Sequence, residues 1–207
     1  MIRSIGVYNM QASRLFTVGE GYKALVLLFR TVGKTSKARK QGLLDKHFME
    51  RIMLGVTQVN GCPLCSYAHT KMALEMGMQE EQIEELLGGE LKNIPQEQLK
   101  AVLFGQHYAE MKGKPSRLAW EEIVHVYGED TATGILGTIR IMMVGNIWGV
   151  VIGLLKDRIQ LKKVDVRSSL GYELLLTFSI IPFLPVAVMH ALAAALIGTP
   201  LLKFAET

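Results

Sequence analysis

The stretch that decides the fold spans positions 59–69 and reads Val-Asn-Gly-Cys-Pro-Leu-Cys-Ser-Tyr-Ala-His. It contains both cysteines of the chain, Cys62 and Cys65, and it places His69 one helical turn beyond the second. A chain with no further cysteine cannot rely on a disulfide framework to hold itself together. The pair therefore serves chemistry, binds a metal or occurs by chance, and the nearby histidine favours a redox-active dithiol with its own base.

We expect the two cysteines to lie on a helix that Asn60 or Gly61 caps, because Pro63 suits a first helical turn. On that helix Cys62, Cys65 and His69 occupy positions i, i+3 and i+7, so the three side chains share one face and the sulfurs can meet. The helix N-terminus favours a thiolate at Cys62. Cys65 precedes His69 by four residues, the spacing at which an imidazole can take the proton of a thiol.

A catalytic histidine needs a partner that orients its ring, and the preceding segment offers Glu50. The pattern predicts a helix over 43–59 with an apolar stripe, and Glu50 lies on the flank of that stripe rather than on its solvent side. We therefore expect Glu50 to reach His69, directly or through water.

The rest of the chain also favours helices, since alternating strand patterns are scarce over its 207 residues. We predict an all-α protein in which the basic run 34–40 is a solvated linker. The glycines of the apolar helix 131–159 are expected to permit close contact between helices. The remaining predicted helices span 10–29, 79–87, 95–111 and 116–127, and Gly77 is expected to end the helix that carries the cysteines.

The apolar stretch 174–200 contains no Asp, Glu, Lys or Arg and is long enough to cross a bilayer. Pro182 and Pro185 should break it into two short helices, so burial in a core or an oligomer interface is favoured over membrane insertion. The net charge of +4 is spread along the chain without a nucleic-acid motif. We expect a cytoplasmic protein with no nucleic-acid partner.

The string Glu50-x11-Cys62-Pro63-Leu64-Cys65-x3-His69 resembles the signature of the AhpD-like, or carboxymuconolactone decarboxylase, superfamily. The resemblance implies an AhpD-like helical bundle that forms homo-oligomers. We expect one domain over 1–207, in which the motif-bearing core spans about 43–159 and the apolar helical extension at about 170–207 lies outside the resemblance.

In the dithiol branch of that superfamily, the resemblance implies a thiol-dependent peroxidase or disulfide oxidoreductase with an antioxidant role. Cys65 would meet the hydroperoxide, Cys62 would form the disulfide with it, and His69 with Glu50 would relay protons. No cofactor is implied, and the reductant would be a thiol or a dithiol, such as a lipoyl-bearing protein. Leu64 stands where AhpD itself has a second histidine, which is a departure from the pattern.

Three alternatives remain at the level of sequence. The first is a cofactor-free decarboxylase, as in the other branch of the superfamily, for which the cysteine pair would be incidental. The second is a helical oligomer without enzymatic activity, acting as a redox sensor or a membrane-associated partner. The third is a zinc site made of the two cysteines, His69 and Glu50, although no further Cys or His pair supports one.

Overall fold

The computed structural model describes residues 13–206, and every regular element in that range is an α helix. The predicted all-α class is therefore confirmed. The helices are α1 (Val18–Phe29), α2 (Val32–Lys40), α3 (Lys46–Asn60), α4 (Pro63–Glu75), α5 (Glu80–Gly88), α6 (Gln96–Glu110), α7 (Arg117–Tyr127), α8 (Glu129–Ile159) and α9 (Leu170–Leu196).

Helix α8 forms the centre of the bundle, because α1, α2, α3, α4, α6, α7 and α9 all pack against it. Its first two thirds are almost continuously buried, as an apolar sequence without a polar face predicts. Helix α3 lies beside it and packs on α4, α5 and α6 with its predicted apolar stripe. These two helices therefore position the turn that carries the cysteines.

The glycines of α8 allow close contact at several points, as expected. A Cβ at Gly134 would stand 2.7 Å from the Ala38 Cβ, and one at Gly137 would stand 1.8 Å from the Thr35 Oγ1. Both neighbours belong to α2, so these glycines let α2 lie directly on α8. Gly153 is different, since a Cβ there would meet nothing within 4 Å.

The run 34–40 was predicted to be a linker, and that prediction is wrong. It forms most of α2, with Thr35 and Ala38 buried against α8 and the lysines and Arg39 exposed. The sequence signal is weak because only two small residues make the buried face. The helix is held by its tertiary contact with α8 rather than by amphipathic patterning.

The first helix begins later than predicted. Residues 13–17 are not helical, and α1 starts at Val18, where Thr17 and Glu20 form a reciprocal capping box. The part of the predicted helix over 10–12 lies outside the described residues. The other helices that precede position 160 agree with the predicted segments to within three residues at each end.

The C-terminal stretch forms one continuous helix, α9, rather than the two short helices expected from Pro182 and Pro185. Each proline removes one backbone donor, which leaves the carbonyls of Phe178 and Ile181 without their helical partners. All four of these residues are exposed, so water can satisfy the two carbonyls. Leu176 before the prolines and Ala187 after them are both fully buried, so packing holds the two halves in line.

Helices α8 and α9 are the two in the described range that are long and apolar enough to cross a membrane by length and composition alone. In the most apolar window of α8, 78% of the residues are buried, which is the pattern of a core helix. The corresponding share for α9 is 22%, because only one face contacts α1 and α8. Its outer face is exposed and carries Leu175, Phe178, Ile181, Met189 and Leu192.

Candidate functional site

The cysteines lie at the turn between α3 and α4. Gly61 ends α3 in the left-handed region with φ of 62°, which a residue without a Cβ adopts at low cost. Cys62 then caps α4, and Pro63 occupies the first turn as predicted. The expectation that Asn60 or Gly61 would cap α4 is corrected, because the Sγ of Cys62 accepts the hydrogen bond from the backbone N–H of Cys65 at 3.2 Å.

Cys62 and Cys65 form a disulfide, so the expectation that their sulfurs can meet is confirmed. Cys62 is completely buried, whereas Cys65 retains 7% exposure. Leu64 and Tyr67, which flank Cys65 in sequence, are exposed. The sulfurs therefore lie just below the surface, and Cys65 is the one that a small molecule can approach.

Glu50 on α3 and His69 on α4 form a direct pair, with 2.5 Å between Oε1 and Nδ1. The side chains are 8% and 15% exposed, respectively. With Nδ1 donating to the carboxylate, the Nε2 of His69 carries the lone pair and can act as a base. The structure thus joins the four predicted site residues in two pairs, the disulfide and the contact of Glu50 with His69, and His69 follows Cys65 by about one turn of α4.

Helix α8 forms the floor beneath the disulfide, and the sequence did not identify it as part of the site. The backbone of Gly149 approaches so closely that a Cβ there would stand 2.4 Å from the Sγ of Cys65 and 2.7 Å from that of Cys62. One turn earlier, the Gly145 carbonyl oxygen lies 3.4 Å from the Sγ of Cys65 and can accept a hydrogen bond from the reduced thiol. The glycine spacing along α8 was the available signal, but spacing alone does not name the neighbour.

A buried polar cluster fixes the turn against α8. The Nδ2 of Asn60 donates to the Oδ1 of Asn146 at 2.9 Å, and the Nδ2 of Asn146 donates to the Oγ1 of Thr57 at 3.1 Å. All three residues are fully buried. Hydrogen bonds in such a setting have a defined geometry and orient the segments that carry them, so this cluster sets the position of the cysteine turn relative to α8.

The other histidines and Trp148 lie in ordinary structural positions. Trp148 is buried and donates from Nε1 to the Leu176 carbonyl oxygen at 3.1 Å, so it links α8 to α9. His47 bonds the Met76 carbonyl, and His190 bonds the Tyr22 hydroxyl. His107 accepts from the backbone N–H of Ser116. None of these contacts involves the cysteine pair.

No group of three or more His, Cys, Asp or Glu residues within 13–206 is arranged to hold a metal ion. The two sulfurs that a zinc site would need are bonded to each other, and the carboxylate of Glu50 contacts His69. The arrangement fits thiol chemistry, since it combines a closable dithiol with an oriented base.

Within the described residues, these features define an all-helical protein in which a disulfide-bonded cysteine pair opens helix α4, and a histidine one turn further along that helix pairs with a buried carboxylate. Residues 27–90, which include all four site residues, match the model of the carboxymuconolactone decarboxylase family. The predicted resemblance is confirmed at that level. No curated protein and no solved structure matches the chain.

Proposed function

We propose that this protein is a thiol-dependent oxidoreductase that reduces hydroperoxides through a Cys62–Cys65 disulfide cycle. The observation that carries the proposal is the direct contact between Glu50 on α3 and His69 on α4, the helix that Cys62 caps. A structural disulfide needs neither a buried carboxylate nor an oriented imidazole, whereas a thiol that must lose and return protons needs both.

In the first step His69 takes the proton of the Cys65 thiol, and the thiolate attacks the terminal oxygen of the hydroperoxide. The sulfur–oxygen bond forms as the oxygen–oxygen bond breaks, and the leaving alkoxide takes its proton back from His69. The products are the sulfenic acid of Cys65 and an alcohol, or water when the substrate is hydrogen peroxide. The exposure of Cys65 and the burial of Cys62 support this assignment of the attacking sulfur.

In the second step the sulfur of Cys62 attacks the sulfur of the sulfenic acid, and the disulfide forms with loss of water. The two Cα atoms are 5.3 Å apart, a separation that a disulfide spans without backbone movement. An external thiol or dithiol then reduces the disulfide by thiol exchange and becomes oxidised itself. We propose a dithiol such as a dihydrolipoyl group for this role.

The test is a single-turnover titration of the fully reduced protein with cumene hydroperoxide, followed by free-thiol counting and intact mass. We expect both thiols to disappear together, with one disulfide formed and no added oxygen. Cys62→Ser should stop at a singly oxidised Cys65 that dimedone labels. Cys65→Ser should consume no peroxide above the buffer rate.

Two results would contradict the proposal. The first is that both thiols remain free in excess peroxide. The second is that the Cys65→Ser variant consumes peroxide at the rate of the unmodified protein. If the variant with both Cys62→Ser and Cys65→Ser then decarboxylates a small lactone acid, the result would favour the cofactor-free decarboxylase alternative.

A further inference from the structure

A second feature of the molecule is a cavity of about 500 Å³ enclosed by α1, the end of α6, α8, and the end of α9 with the segment that follows it. Its lining contains none of the four site residues described above. A cavity of this volume falls within the range of small-molecule sites. It is therefore a candidate binding site separate from the dithiol.

Basic side chains dominate the polar lining of this cavity. Arg14 pairs with Glu20, which is the one carboxylate in the lining. Among residues 13–206, no Asp or Glu forms an ion pair with the other basic residues there, and the sequence of 1–12 contains no acidic side chain. Those other residues are Lys23, Arg30, Lys112, Lys114, Arg140 and Lys203.

Arg140 is the central cation of the cavity and is only 1% exposed. Its guanidinium donates to three neutral oxygens: Nε to the Tyr108 hydroxyl at 3.1 Å, Nη1 to the Leu27 carbonyl at 3.3 Å and Nη2 to the Leu201 carbonyl at 2.5 Å. A buried charge is normally neutralised by an opposite charge. Here the described residues provide hydrogen bonds for the guanidinium, and none of their carboxylates forms an ion pair with it.

Arg30 adds a second uncompensated guanidinium beside the first. It donates from Nη1 and Nη2 to the carbonyls of Pro200 and Thr199, and its buried Nε has no hydrogen-bond partner in the described structure. Burial and the neighbouring Arg140 lower the pKa of Arg30. Two guanidiniums held by backbone carbonyls line the same cavity, and such a pair of cations fits a planar or tetrahedral oxyanion.

The remaining wall of the cavity is apolar, and Phe16, Leu27, Met143 and Ile147 contribute to it. A bare inorganic anion would fill the charged end and leave this wall uncovered. We propose that the cavity binds an anionic amphiphile, with a carboxylate or phosphate head group at Arg30 and Arg140 and an apolar body along α8. This site stands independently of the proposed peroxidase.

The test is isothermal titration of the full chain with octanoate and with octyl phosphate, and the two probes distinguish the two head groups. Octanol and inorganic phosphate serve as matched ligands that lack the charge or the apolar body. We expect saturable binding of at least one of the two amphiphiles, weakened by added salt because the contact is ionic. Both matched ligands should bind at least about tenfold more weakly, because each loses one half of the contact.

The variants separate ligand binding from a purely structural role of the arginines. Arg30→Gln should weaken amphiphile binding by about tenfold or more, since a charge-assisted contact is lost. The double variant Lys23→Gln/Lys203→Gln changes two exposed residues of the cavity lining, so it should fold normally. It should still weaken amphiphile binding, because it removes two positive charges. Lys163→Gln, an exposed lysine outside the cavity, is the control and should bind like the unmodified protein.

The proposal is overturned if neither amphiphile binds saturably to the folded protein. It is equally overturned if octanol binds as tightly as octanoate, or if the Lys23 and Lys203 double variant and Arg30→Gln both bind with unchanged affinity. The peroxide titration is unaffected by any of these results, so the two proposals fail separately.

Discussion

The α carbon of Gly149 lies directly against the sulfur of Cys65, at a distance that leaves no room for any side chain. A Cβ at this position would stand 2.4 Å from that Sγ, well inside van der Waals contact. Helix α8 therefore acts as the wall on which the cysteine pair rests. The fit explains how two cysteines at the surface end of a helix become almost completely buried.

Replacing Gly149 with alanine should displace the cysteine pair from α8. The clash involves both sulfurs, so either α4 moves outward or the disulfide geometry changes. We expect a loss of about 1–3 kcal/mol in the free energy of unfolding, the usual cost of overpacking a core. We also expect slower disulfide formation after peroxide, which stopped-flow tryptophan fluorescence and thiol counting would follow.

Gly153, one turn further along α8, provides the matched control. A Cβ there meets nothing within 4 Å, so Gly153→Ala should raise stability by up to about 1 kcal/mol through helix propensity alone. If both alanine variants behave alike in urea unfolding and in disulfide formation, the contact between Gly149 and the sulfurs has no energetic significance.

The sequence predicted that the two sulfurs can meet and that Glu50 reaches His69, but not the surface against which the cysteines lie. Cys62, Cys65 and His69 are linked by local helical spacing, which a single sequence reveals directly. Glu50 is twelve positions before Cys62, and the apolar stripe of α3 was sufficient to orient it. Gly149 is more than eighty positions away, and no local rule relates a glycine to a distant sulfur.

Two of the incorrect fold predictions have a common cause. The run 34–40 was judged by its charges and α9 by its prolines, and both are local signals. In each case tertiary contacts decided the outcome: Thr35 and Ala38 against α8, and Leu176 and Ala187 against the helices beneath α9. Local propensity is a weak guide where a few buried contacts outweigh it.

Replacing Glu50 with glutamine should impair proton transfer while preserving the shape of the site. The amide oxygen can still accept from the Nδ1 of His69, but it no longer stabilises a positively charged imidazole. We expect the rate of peroxide reduction to fall by about 10–100-fold, because general acid–base catalysis contributes about 10²–10⁴-fold and the variant retains part of it. The pH–rate profile of the variant should also shift, and this is the readout that separates proton relay from simple packing.

Glu75→Gln is the control for this variant, because Glu75 is an exposed carboxylate on the same helix as His69. It should leave both the rate and the pH profile unchanged. An unchanged pH–rate profile in Glu50→Gln, whatever its maximal rate, would contradict the relay.

The ion pair between Glu173 and Arg158 anchors the start of α9 and should make stability depend on pH. Hydrogen bonds from Arg158 and Ser168 hold the pKa of the fully shielded Glu173 below its ordinary value. Because the pKa of Glu173 is lower in the folded state than in the unfolded state, the ionised carboxylate stabilises the folded protein at pH values above the unfolded-state pKa. This stabilisation is lost as the pH falls through the folded-state pKa and the carboxylate is protonated. Glu173→Gln should therefore cost about 1–3 kcal/mol at pH 7 and progressively less below about pH 4.

Urea unfolding of the two proteins across that pH range measures the effect. Glu122→Gln removes an exposed carboxylate that pairs with Lys100 and should change stability little at any pH. A Glu173→Gln deficit that stays constant from pH 7 to pH 3 would show that the carboxylate charge is not what anchors α9.

Replacing Pro182 with alanine should stabilise α9, because the continuous helix accommodates this proline rather than depending on it. The alanine N–H can donate to the Phe178 carbonyl, and the clash of the proline ring with that carbonyl disappears. We expect the free energy of unfolding, measured by thermal unfolding, to rise by about 1–3 kcal/mol, since proline is the least favourable residue in a helix interior. Pro95 immediately precedes α6, where no helical N–H is missing, so Pro95→Ala should bring no such gain. A destabilised Pro182→Ala would mean that the proline sets a bend on which the contacts of Leu176 and Ala187 depend.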